Sequence, residues 1–265
     1  MTAPAMPGVR GLLLDIDGVL VTAWKPLPGA VEAVAELRRR GIPFLLMTNT
    51  TELSRAGVAG RLADAGFDVG PEDLITATAA TASYLRDNHP GARCFLVAEG
   101  SPAEDLEGVD LVEDRADVVL LGGAGPSFTW ERVNQAFRML MEGAALVAMH
   151  RNLSWTTADG LTLDSGAYLM GLEAATGVAA EVAGKPAPAF FRQARSLLGL
   201  PSEAVAMVGD DVETDVLAAQ AVGMTGVLVR TGKFREDSLE RASGRPDRMV
   251  DSVAGVPAMV EASKG

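Results

Sequence analysis

An apolar run that ends in two acids sets the terms for this chain. Residues 11–22 read GLLLDIDGVLVT, so a segment apolar enough to be buried on both faces of a sheet delivers Asp15 and Asp17 at its end. Ionised carboxylates are seldom buried without a compensating charge or ligand. Two of them about 4 Å apart repel by about 4 kcal/mol at an effective dielectric near 20. A divalent cation or a shared proton relieves that repulsion, and the rest of the chain has to supply the other ligands.

Strand-like runs alternate with helix-like ones along the sequence. VRGLLLD (9–15), IPFLLMT (42–48), ARCFLVA (92–98), ADVVLLGG (116–123), AALVAMH (144–150), AVAMVGDD (204–211) and TGVLVRTG (225–232) read as strands. Between them, helical spacing predicts helices at about 31–40, 52–65, 77–86, 130–143, 166–177, 185–200 and 213–223, with 150–164 polar and turn-like. This alternation is that of an α/β fold with a parallel sheet and crossover helices. In open parallel sheets ligands sit at the carboxyl ends of strands. Three strands here end in polar residues: Asp15 with Asp17, Thr48 with its neighbours, and Asp210 with Asp211.

Charge narrows the partners. Thirty-five acids against 23 bases give a formal charge of −12, which disfavours nucleic acid and anionic membranes, so a phosphorylated ligand needs a locally positive site. No run approaches the ~20 apolar residues of a membrane span, and the opening residues lack a secretory pattern. A single cysteine, Cys94, forms no internal disulfide and suits a reducing cytosol. One cysteine and two separated histidines cannot build a thiolate or imidazole site, so the acids point to a hard, oxygen-bound cation such as Mg²⁺. Thr48 offers a hydroxyl, and Lys185 precedes a helix begun by prolines, whose amino end favours negative charge. Cation, hydroxyl, lysine and helix end together make a phosphate cradle, and a carboxylate set against phosphorus is a nucleophile.

DIDGVL (15–20), MTNT (47–50), GKPAP (184–188) and GDDVETD (209–215), in that order, resemble the four motifs of the haloacid dehalogenase-type phosphatases. The long stretch between the second and third motifs resembles the large α/β cap of the 4-nitrophenylphosphatase-like subfamily. LDSGAYLMGLEAATG is most similar to its phospholysine phosphohistidine inorganic pyrophosphate phosphatase branch. The resemblance implies a doubly wound parallel-sheet, Rossmann-like core from residues 1–82 and 178–265, with an α/β cap inserted at 83–177. It implies that Asp15 is the nucleophile and a Mg²⁺ ligand, and that Asp17 is the general acid/base, binding Mg²⁺ through its backbone carbonyl. Thr48 and Asn49 would hold the phosphoryl group, Lys185 would neutralise it and steady Asp15, and Asp210 would complete the metal site. Asp215 would orient Lys185 or metal-bound water, with Asp211 outside the metal set. The expected substrate is a small phosphomonoester, phosphoramidate or pyrophosphate, handled by a cytoplasmic homodimer joined through the cap. The alternative is a non-catalytic phospho-ligand-binding protein on the same fold, against which retention of both Asp15 and Asp17 argues. A receiver domain also clusters acids and a lysine, but needs about half this length.

Overall fold

Strands with no polar alternation need cover on both faces, and helices between successive strands provide it. The computed structural model describes residues 5–157 and 160–260. The chain divides into two compact units: one holds the chain up to Thr48, Ala56–Ile75 and the chain from Lys185, the other Asn49–Arg55 and Thr76–Gly184.

The first unit is built on a six-stranded sheet of β1 (Gly11–Asp15), β2 (Phe44–Thr48), β3 (Leu74–Thr76), β4 (Val205–Gly209), β5 (Thr225–Val229) and β6 (Arg248–Val250). Its strand order is β6-β5-β4-β1-β2-β3, and the pairing from β6 through to β2 is parallel. Every residue of β1, β2 and β4 is buried. Helices Ala30–Arg39, Arg55–Asp64 and Pro188–Leu198 bury Val34 and Leu37, Val58 and Leu62, and Phe190 and Phe191. The second helix begins later than its apolar spacing predicts, because the Glu52 carbonyl accepts the Ser101 N–H, 2.9 Å, within the other unit.

This order decides where a site can form. The chain winds outward from β1 through β2 to β3, then reappears at β4 on the opposite flank of β1, so winding reverses between β1 and β4. A crevice opens at the carboxyl ends of two strands that part company in this way. Leu14 lies opposite Val208 and Asp15 opposite Met47, which brings the residues after β4 and Thr48 at the end of β2 level with the Asp15 turn.

The second unit has its own sheet, in the order Glu181–Val182, Ala145–Ala148, Val118–Leu121, Arg93–Val97 and Asp110–Leu111, all pairs parallel. Helices Ala77–Asn88, Trp130–Met141 and Ser165–Thr176 belong to it. It runs from Thr76 to Gly184 because Ala77, Ala82 and Leu85 pack with Cys94 and Val118, while Val178 and Ala180 pack against the cluster of Phe95 and Leu169. The polar segment expected to be turn-like contains an antiparallel hairpin, Ser154–Thr157 with Gly160–Leu163. Gly160–Leu163 is exposed throughout, so it carries no alternation of buried and exposed residues to announce a strand. No helix among the described residues is long and apolar enough to cross a membrane.

Leu14, wholly buried in β1, tests how much the central strand carries. Leu14→Ala is expected to lower the stability of the first unit by about 3 kcal/mol, read as a shift of its urea midpoint. A change below about 1 kcal/mol would mean that β1 is not packed on both faces.

Candidate active site

Asp15 ends β1 with its side chain turned into the crevice. Its Oδ1 accepts the Ile16 N–H, 2.9 Å, and lies 2.7 Å from Lys185 Nζ. The ammonium also lies 2.8 Å from Asp215 Oδ1, and all three side chains are buried. Burial disfavours the charge on Lys185, but Asp15 and then Asp215 more than offset it and hold the amine well above the ordinary lysine range.

Asp215 reaches the lysine because the backbone after β4 is wound wide. Residues expected to form an ordinary α-helix make a π-helix, Val212–Leu217, followed by a short α-turn, Ala218–Gln220. The Asp211 carboxylate caps it, accepting the N–H groups of Glu213 and Thr214 at 3.0 Å each. Asp211 thereby serves the helix end, and its own N–H donates to Asp215 Oδ2, 3.2 Å. Gly209 leaves room for this fold-back: a Cβ there would stand 2.2 Å from the Asp215 Cβ.

One carboxylate oxygen from each of Asp15, Asp210 and Asp215 lies within 4.8 Å of the others. Three buried acids face one buried ammonium, Lys185, and feel the charge of the more exposed Lys233, so the pocket is still short of positive charge. Asp210 shows the shortage most plainly. Its Oδ2 accepts the Lys233 N–H, 2.7 Å, while its buried Oδ1 has no hydrogen-bond partner. Burial, then the Asp15 and Asp215 charges, push the Asp210 carboxyl up to about 8, with the Lys233 N–H and then the Lys233 charge acting against them. Burial pushes Asp215 up to about 6 despite the Lys185 charge, with Asp15 adding to the rise. An all-oxygen set with an unpartnered buried oxygen fits a hard dication and offers nothing to a soft one. Asp215 faces the ammonium with Oδ1 and holds Asp211 with Oδ2, which leaves Asp15 and Asp210 as the side chains free to ligate.

Asp17 is exposed on the turn that follows Asp15, outside the three-carboxylate group, and the turn is closed by the Gly18 N–H donating to the Val21 carbonyl, 2.7 Å. Gly18 has φ of 81°, a conformation natural to glycine. Thr48 is buried at the end of β2, beside Met47, the residue opposite Asp15. Asn49 belongs to the second unit, where a Cβ on Gly184 would lie 2.7 Å from its Oδ1. Lys233 was not legible as a site residue, although R-T-G-K directly follows the strand TGVLV and a search of every strand's carboxyl end would have reached it.

A family model described as haloacid dehalogenase-like hydrolase matches residues 12–112, and one described as HAD-hydrolase-like matches residues 182–256. Phospholysine phosphohistidine inorganic pyrophosphate phosphatase of Homo sapiens is 35% identical over 255 residues, covering 94% of this chain and 93% of that protein. p-Nitrophenyl phosphatase from Archaeoglobus fulgidus superposes with a TM-score of 0.87 at 30% identity, over 95% of this chain and 99% of that one. Glycerol phosphate phosphatase from Mycobacterium tuberculosis, solved in complex with magnesium, gives 0.86 at 29% identity, over 96% and 78%. The chain belongs to the haloacid dehalogenase-like hydrolases and is an enzyme of their phosphatase type.

The raised acids make stability depend on pH in a definite direction. A carboxyl whose folded pKa exceeds its unfolded value binds protons more tightly when folded, so its stabilisation is present at low pH and is lost as pH rises through the folded value. For Asp215 and Asp210 that loss falls between about 4 and about 8. In EDTA the protein is expected to melt at a lower temperature at about pH 9 than at about pH 5, and excess Mg²⁺ at the higher pH should restore the midpoint. A higher midpoint at the alkaline end in EDTA would contradict the charge shortage.

Proposed function

We propose that the chain is a Mg²⁺-dependent phosphatase that removes phosphate from a small phosphorylated substrate through an aspartyl phosphate on Asp15. The observation that carries this reading is the asymmetric grip on Asp15: both of its contacts, from the Ile16 N–H and Lys185, fall on Oδ1. The other oxygen is left to attack phosphorus. Asp15 and Asp210, with the backbone carbonyl of Asp17, would hold the metal. Mg²⁺, when bound, offsets the repulsion between phosphate and carboxylates and polarises the phosphoryl oxygens.

Asp15 Oδ2 forms the bond to phosphorus as the leaving-group oxygen departs, and Asp17 gives that oxygen a proton. Asp17, now a carboxylate, takes a proton from the water that attacks the phosphorus of the aspartyl phosphate, and Asp15 is released with inorganic phosphate. Lys185 keeps Oδ1 in place and places a positive charge beside the incoming phosphoryl group. The Thr48 hydroxyl and Asn49 amide donate to phosphoryl oxygens. Support for Mg²⁺ comes from the oxygen-only donor set and from the magnesium complex of the mycobacterial neighbour.

The substrate class extends from phosphomonoesters to phosphoramidates and pyrophosphate, the last two suggested by the name of the human relative. The reading includes a cytoplasmic setting and a homodimer through the second unit, where exposed Leu153, Leu161 and Leu163 lie in and beside the hairpin. It also assigns the cap to that unit, in the place of the expected residues 83–177.

Hydrolysis of 4-nitrophenyl phosphate by the purified protein tests these roles. EDTA should abolish it and Mg²⁺ restore it. Asp15→Asn should reduce turnover to background with the fold retained, and Asp17→Asn should lower kcat by about 100- to 10,000-fold. Substantial turnover by Asp15→Asn would remove Asp15 as nucleophile.

A further inference from the structure

Asp210 directly follows β4, and loops from the two strands flanking β4 close on its carboxylate. From the β1 side comes Gly18, from the β5 side Thr231, Gly232 and Lys233. Gly18 and Gly232 both have left-handed backbones, φ 81° and 61°. A Cβ on Gly18 would lie 1.9 Å from Asp210 Oδ2 and 2.9 Å from the Gly232 Cα. A Cβ on Gly232 would lie 2.0 Å from the same oxygen and 2.5 Å from the Gly18 Cα. The two glycines therefore press on one carboxylate oxygen from two sides, and no larger residue fits at either position. The Thr231 hydroxyl locks the pair by donating to the Gly18 carbonyl, and the Lys233 N–H donates to the oxygen between them, 2.7 Å.

All of these constraints fall on Oδ2. Oδ1 receives none and is buried without a hydrogen-bond partner. A carboxylate held by one oxygen cannot rotate, so the other is fixed in direction, as ligands oriented by their surroundings are. We propose that Thr231, Gly232 and Lys233 form a positioning loop that immobilises Asp210 through one oxygen and thereby presents the other to the divalent cation. Thr231 acts through Gly18 and Asp210, without touching the metal or the substrate. The proposal rests on the metal-dependent reading above and adds to it a set of residues outside the four sequence motifs.

Binding of Mn²⁺ to the full-length protein, followed by electron paramagnetic resonance of the free ion with no substrate present, tests it apart from turnover. Thr231→Val keeps the shape of the side chain and deletes the donor. It should weaken Mn²⁺ binding by about 10-fold, while the thermal midpoint in EDTA stays close to that of the parent. Thr231→Ser restores the hydroxyl and should bring affinity back to within about threefold of the parent. Gly232→Ala should abolish binding; if that variant fails to fold, the threonine pair still decides the matter. A parent protein that binds Mn²⁺ with Thr231→Val binding equally well would overturn the positioning loop alone. Loss of stability in EDTA without loss of Mn²⁺ affinity would overturn it too, since that is the mark of a merely structural contact. A parent protein that binds no Mn²⁺ would overturn both this proposal and the metal-dependent reading beneath it.

Discussion

The buried bridge from Asp15 through Lys185 to Asp215 is the interaction on which the rest of this molecule depends. Taking three charged groups out of water is expensive, and a geometry that satisfies them is kept because breaking it leaves an uncompensated charge inside, a loss of about 3–5 kcal/mol for a buried pair. The bridge needs β1 to end at the winding reversal, a lysine delivered as the chain re-enters the first unit, and an acid folded back over the end of β4. Two of these requirements have a local cause: an unbroken apolar run for β1, and, for Asp215, the π-wound segment together with the space that Gly209 leaves.

The pocket around the bridge also divides labour between oxygens. Asp15 is gripped at Oδ1 by the lysine and by the next N–H along the chain; Asp210 is gripped at Oδ2 by the Lys233 N–H. In both residues the directed contacts fall on one oxygen, and in the proposed reaction the other faces phosphorus or the metal. A freely rotating carboxylate would have to be ordered at the moment of reaction, whereas groups already aligned need no reorganisation. The same economy explains why so many backbone donors converge on a few acids in a pocket with a single buried ammonium.

Much of this was legible in the sequence, for a physical reason. An acid at the end of a buried strand contradicts its surroundings, and the contradiction marks Asp15 and Asp210 without reference to any structure. Thr48 and Lys185 could be found because one ends a strand and the other stands just before a helix, places where an anion is welcome. Cys94 was readable as a small buried hydrophobe, and burial indeed pushes its thiol up to about 11, far from reactive. Less local features escaped. β3 and β6 are three residues each, too short for periodicity to register. The π-winding of 212–217 keeps the composition of an ordinary helix, so spacing alone could not reveal it. Gly18 and Gly232 meet only because β1 and β5 flank β4, a fact of strand order that no window of sequence contains.

The central claim is that Asp15, pinned at one oxygen, receives the phosphoryl group with the other. The direct measurement is a rapid acid quench during turnover of a ³²P-labelled phosphomonoester, followed by proteolysis and mapping of the labelled peptide. Acid-stabilised label on the peptide containing Asp15, chased into free phosphate by unlabelled substrate, is the predicted result. Label absent from the protein at every quench time while phosphate is released, or label on a peptide from elsewhere in the chain, would contradict it.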